Sequence, residues 1–155
     1  MIEVSKKSNA LLIQGSNKNT VVFDTVTKDV SIDDFSLSFP GEYEKSEILV
    51  ETKEYAGALF YHLLLDGKHI VIVTLDTFEL KEEILSFFGD VDILLILGTK
   101  DAVKAFESIE AKLVIPYGEG KDIFLNTLGQ HTEAVESYKI KSDLPIDVTE
   151  FVNIK

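Results

Sequence analysis

The chain has no cysteine, which removes disulfides, thiolate metal sites and thiol nucleophiles together and fits a reducing compartment. Histidine is scarce: His62, His69 and His131 are the only three, and no two are two residues apart. No apolar run approaches the roughly 20 residues that span a bilayer; Ile93-Leu94-Leu95-Ile96-Leu97 is among the longest. Met1–Lys7 carries no apolar region behind its charges, so the expectation is no signal peptide, no membrane and a cytoplasmic protein. Basic residues are outnumbered 15 to 27, giving a formal charge of −12. Lysines are scattered rather than gathered in a stripe, and such a field repels a phosphate backbone, so nucleic acid is not an expected partner. The acidity itself serves solubility. There is no Gly-x-Ser-x-Gly elbow, no Pro/Gly/Ser-rich linker and no fixed-period repeat. One domain over 1–155 is expected.

What is present divides into two rhythms. In the first half, Ala10–Gln14 and Thr20–Asp24 read as strands around a loop, Gly15-Ser16-Asn17-Lys18-Asn19. Phe35–Phe39 alternates with period two, and Pro40-Gly41 suits a type II turn. Strands follow over Ile48–Tyr55, Leu59–Leu65 and His69–Leu75, with Asp66-Gly67 as a two-residue hairpin signal. Beyond Asp76 the period becomes helical. Leu80, Ile84, Leu85 and Phe88 share a face, with Thr77 placed as a cap and Gly89 as a stop. Val91–Leu97 reads as a strand buried on both sides. A helix over Asp101–Ile109, a strand over Leu113–Pro116, a helix over Asp122–Leu128 and strands over Ala134–Ile140 and Val148–Ile154 complete the chain. A strand meander followed by βα units predicts an α/β (α+β) domain of two packed sheets with helices outside.

Phe39-Pro40-Gly41-Glu42-Tyr43-Glu44 resembles the Gly-Pro-Gly-Glu-Tyr-Glu segment of a bacterial branch of the metallo-β-lactamase-fold hydrolases. Further landmarks come in that branch's order: Leu59-Phe60-Tyr61-His62-Leu63 with Asp66-Gly67, Asp90–Ile96, Ala111–Pro116 and the tail Lys141-Ser142-Asp143-Leu144-Pro145. The resemblance implies a four-layer αββα sandwich, here in reduced form, with a metal site at one edge. It also implies a His-x-His-x-Asp-His loop, a late histidine and a bridging aspartate as ligands. In this chain only residues 25–38 stand where the loop and its following helix belong. Tyr117-Gly118-Glu119-Gly120 follows Pro116 with no histidine, and Asp76 is the one match to the aspartate.

The relic-site candidates are therefore Asp76, Glu42, Glu44 and His62. Glu42 and Glu44 share one strand face and could bind a hard cation or act as an acid/base pair, or simply belong to a turn-and-strand signature. Asp76 also reads as a strand end that favours a helix N-terminus, and His62 as a packed imidazole with one hydrogen bond. His69 is expected at an exposed strand start and His131 in a loop. Gly118-Glu119-Gly120-Lys121 looks like a glycine-rich loop leading into a helix, where backbone N–H groups could meet an anion, or a flexible strand-to-helix turn, since it falls short of a full phosphate-loop spacing. No catalytic residue, metal or cofactor is expected. The reading is a non-catalytic binding or assembly module, partnered by itself as a homo-oligomer or by a paralogous metallo-hydrolase. Phe87 and Phe88 are expected to leave an apolar surface for that association. The alternative is a small metal-dependent hydrolase with a degenerate carboxylate-rich site.

Overall fold

The computed structural model describes residues 1–141 and 143–155, so Ser142 of the tail resemblance lies outside the described residues. The meander opens with β1 (Ile2–Lys7), β2 (Ala10–Gln14), β3 (Thr20–Asp24), β4 (Val30–Ile32) and β5 (Phe35–Ser36). With β13 (Ser137–Ile140) these form a six-stranded sheet, ordered β13-β1-β2-β3-β4-β5. The second sheet begins with β6 (Gly41–Lys45), β7 (Ile48–Tyr55), β8 (Ala58–Leu65) and β9 (Lys68–Val73). It continues through α1 (Glu82–Phe88), β10 (Val91–Leu97), α2 (Ala102–Ser108), β11 (Ala111–Tyr117) and α3 (Lys121–Thr127). With β14 (Glu150–Phe151) its order is β14-β11-β10-β9-β8-β7-β6. β12 (Ala134–Val135) and β15 (Asn153–Ile154) pair separately.

Period-two alternation positions both cores. Val4, Ile13, Phe23 and Ile32 of the first sheet meet Tyr61, Leu63, Ile72, Ile93, Leu95 and Ile115 of the second. The intervening residues of the second sheet, Phe60, Val71, Val73, Leu94, Ile96 and Val114, face Ile84, Phe88, Ala102, Ala105, Phe124 and Leu125 of the helices. β10 is therefore buried on both faces over Ile93–Ile96, as the apolar run Ile93–Leu97 predicts, and it pairs in parallel with β9 and β11. All three helices cover the second sheet, and among the described residues no helix covers the first. The two-sheet sandwich is present in a reduced, three-layer form, ββα, in place of the expected four-layer αββα. Residues 25–38 hold only turns and the short strands β4 and β5, and no helix.

Several expected boundaries move for packing reasons. The strand expected over Phe35–Phe39 ends at Ser36. Helix α1 begins after Lys81, not at Thr77, because Phe78 turns inward onto Phe60, with ring centroids 5.1 Å apart. The last two expected strands each divide, and buried Val152 separates β14 from β15. Phe87 and Phe88 correct an expectation: both are buried, Phe88 stacked on Phe60 at 6.0 Å and Phe87 edge-on to His62 at 6.1 Å. The aromatic pair is core and offers no association surface.

Candidate functional site: a cleft at the ends of the parallel strands

In an open α/β sheet, ligands settle beyond the carboxyl ends of the parallel strands, where the loops diverge. Here β9, β10 and β11 end together at Asp76, Gly98-Thr99 and Gly118. A cleft of about 670 Å³ opens beside the last two loops. One wall comes from the first sheet and its turns: Lys6, Asn9, Leu11, Thr25 and Val26. The other is formed by Leu97–Thr99 and Pro116–Lys121, with Ile154 closing one side.

The floor is made by two loops in backbone contact. A Cβ placed on Gly98 would lie 2.5 Å from Lys121 Cα, and one on Gly120 would lie 2.4 Å from the Gly98 carbonyl oxygen. No side chain fits at either position. Tyr117 ends β11 with its ring between the sheets, edge-on to Phe23 at 4.9 Å, and its hydroxyl donates to the Val73 carbonyl at 2.8 Å. Burial, with a smaller contribution from the Asp76 charge, pushes that phenol far above the usual tyrosine range. It is a neutral structural donor.

Asp76 sits just beyond β9 and accepts a hydrogen bond from Thr99 Oγ1 at 3.1 Å, while Thr99 accepts from the Ala102 amide at 3.2 Å. Its carboxylate thus joins the β9 and β10 loops and helps hold the start of α2. Lys121 donates one ammonium hydrogen to the Ile154 carbonyl. Its pKa is lowered, first by burial and then by the nearby charge of Lys6, with Asp122 opposing. Lys6 is exposed and has no ion pair among the described residues. Glu119, also exposed, is the carboxylate lining the cleft.

The other candidates lie elsewhere. β6 is a strand as expected, with Glu42 and Glu44 exposed on one face and Tyr43 turned toward the core. Glu42 stands opposite Glu51, and Glu51 opposite His62. These residues line a shallow concavity of about 310 Å³ together with His69, on the uncovered part of the second sheet's helix face. His62 Nδ1 lies 2.9 Å from the Phe87 carbonyl oxygen, which can only accept, so Nδ1 carries the proton. His62 Nε2 then accepts from His69 Nδ1 at 3.0 Å. Three of the pair's four ring nitrogens are engaged in a relay ending at α1, and His69 is half-buried rather than exposed. Asp76 lies past the far end of β9 from His69, so the four relic candidates are not brought together. Among the described residues, no three histidine, aspartate or glutamate side chains gather so as to hold a metal ion. His131 is exposed in its loop.

No family model matches the sequence, and no curated protein does. Among solved structures, the chain superimposes on a Thermotoga maritima protein described as a Zn-dependent hydrolase of the metallo-beta-lactamase superfamily. The TM-score is 0.74, the identity 13%, and the match covers 99% of each chain. This chain has the metallo-β-lactamase fold. Equal coverage also means that the two chains are of nearly the same length, so the short form of the fold is not peculiar to this sequence.

A zinc centre needs three or four nitrogen, sulfur or carboxylate donors converging on one point. The strand ends here do not fit it. The Tyr117 hydroxyl is committed to Val73, the Thr99 hydroxyl to Asp76, and the cleft is lined by two lysines, Lys6 and Lys121. Sequence reading missed Lys6 and the Tyr117 anchor, and named Lys121 only as the end of the Gly118–Lys121 loop. Only the Gly118–Lys121 loop carried a signal, because β1 was not anticipated and Lys6 lies on it.

Proposed function

We propose that this protein uses the metallo-β-lactamase fold as a non-catalytic binding module, with the strand-end cleft as its ligand site. The observation that carries the reading is the make-up of that cleft: lysine, threonine, asparagine and a locked tyrosine line the edge, with a lone aspartate behind them. Asp76 and the exposed Glu119 together fall short of the three or four converging donors that a transition-metal centre needs. Binding is preferred over assembly because the aromatic pair expected to mediate self-association is buried. A homo-oligomer or a complex with a metal-bearing paralogue would have to use other side chains, such as Phe39 and Leu49, which are 73% and 47% exposed.

Thermal melts with added zinc or manganese test the proposal. A ligand that binds only the native state raises its stability by mass action, by about 2.7 kcal/mol at a hundredfold excess over Kd. The expected result is no saturable rise in Tm with either ion. A rise saturating near one equivalent, and abolished by Asp76→Ala, would overturn the proposal by establishing a metal site, the premise of the small metal-dependent hydrolase.

A further inference from the structure

We infer that the strand-end cleft is an oxyanion site, taking a small organic anion whose phosphate or carboxylate head is held between Lys6 and Lys121. The inference deepens the binding-module reading and rests on it. In a chain of net charge −12, two lysines converge on one cavity, Lys6 from β1 of the first sheet and Lys121 from the start of α3. They are close enough for the charge of Lys6 to weigh on Lys121. Two cations held together without a counter-ion repel each other, and an anion placed between them relieves that cost. Glu119 lines the same cleft but forms no ion pair with either lysine among the described residues.

Donor counting agrees. The Lys121 ammonium has three N–H groups and one is bonded to the Ile154 carbonyl, which fixes the side chain and leaves two to offer. Asn9 and Thr25 add neutral polar groups on the opposite wall. Leu11, Val26 and Leu97 add apolar surface to the lining, so part of the ligand's body can be hydrocarbon. The volume of about 670 Å³ lies within the range of small-molecule sites. The Gly98–Lys121 backbone contact makes the floor rigid, so the site is formed in advance of binding.

The test is a titration of the whole protein with inorganic phosphate and, separately, with hexanoate, at constant ionic strength with EDTA present, followed by amide chemical shifts. Saturable shifts at Gly98, Thr99 and Gly118–Lys121 are expected for at least one probe, and the probe that saturates tells a phosphate head from a carboxylate on an apolar tail. Lys6→Gln should weaken that binding by about five-fold, the scale of one charge-assisted contact at a partly exposed site. Lys104→Gln, on exposed α2, should leave it unchanged. Lys6 is exposed, so its loss does not threaten folding. Shifts that never saturate, lie elsewhere, or ignore Lys6→Gln would overturn the assignment. Saturation that requires zinc in place of EDTA would overturn the binding-module reading itself, which separates the two failures.

Discussion

Tyr117 joins the two halves of the molecule through one side chain. Its ring packs across the sandwich on Phe23 and its hydroxyl reaches back to Val73. Tyr117→Phe keeps the ring and deletes the bond, so urea unfolding should show a loss of about 1–2 kcal/mol. An unchanged midpoint would mean that Val73 finds another donor. Asp92 gives a pH-dependent counterpart. Burial works to raise its pKa, but the His69 amide at 2.8 Å and Lys112 at 3.2 Å prevail and hold it below the ordinary carboxylate value. A depressed folded pKa contributes stability that is present above the unfolded value, about 4, and is lost as pH falls through the folded one. Asp92→Asn should therefore lower stability at neutral pH and flatten its decline in acid. Parallel acid limbs for the two proteins would contradict this. At this scale Glu42, Glu44 and Tyr43 were legible, because strand alternation alone assigns their faces. The His62–His69 contact was legible in principle: a two-residue turn at Asp66-Gly67 sets Leu64 opposite His69 and places His62 diagonal to it. Phe87 and Phe88 were not legible, since a helix end meeting a sheet can bury adjacent rings in a way that helical period does not show.

Among the elements, the loops after β10 and β11 matter most, because their contact builds the cleft. Gly98→Ala would drive a methyl to 2.5 Å from Lys121 Cα, and backbone cannot yield as a flexible side chain does. A loss of about 1–3 kcal/mol is expected, together with weakened probe binding. Gly67→Ala is the contrast. At φ 74° with nothing within 4 Å, it should cost only about 1 kcal/mol of backbone preference and leave the cleft intact. Equal effects of the two in denaturant titrations would argue against a rigid floor. The βα units were legible because apolar runs and helical spacing alternate cleanly after Asp76. The first strand was not, since only Ile2 and Val4 mark its buried face and both its neighbours in the sheet are distant or turn-linked residues.

For the whole molecule, the fold rests on two cores that share the second sheet, and the acidity is spread around them. Self-repulsion of a net charge of −12 opposes compactness. Raising salt from about 0.01 to 0.15 M shortens the Debye length from about 30 to about 8 Å, so Tm should rise by a few degrees over that range. A falling Tm would mean that surface ion pairs outweigh the net charge. No helix among the described residues is long and apolar enough to cross a membrane. The sandwich was legible from ordered landmarks and the missing helix from the short span of residues 25–38, whereas the lysine-lined cleft brings together Lys6 and Lys121, more than a hundred positions apart, which no local pattern encodes. What occupies the strand ends is tested most directly by anomalous diffraction at the zinc edge from crystals grown with excess zinc. No ordered peak beside Asp76, Thr99 and Tyr117 is predicted; a fully occupied peak there, ligated by Asp76, would contradict the account.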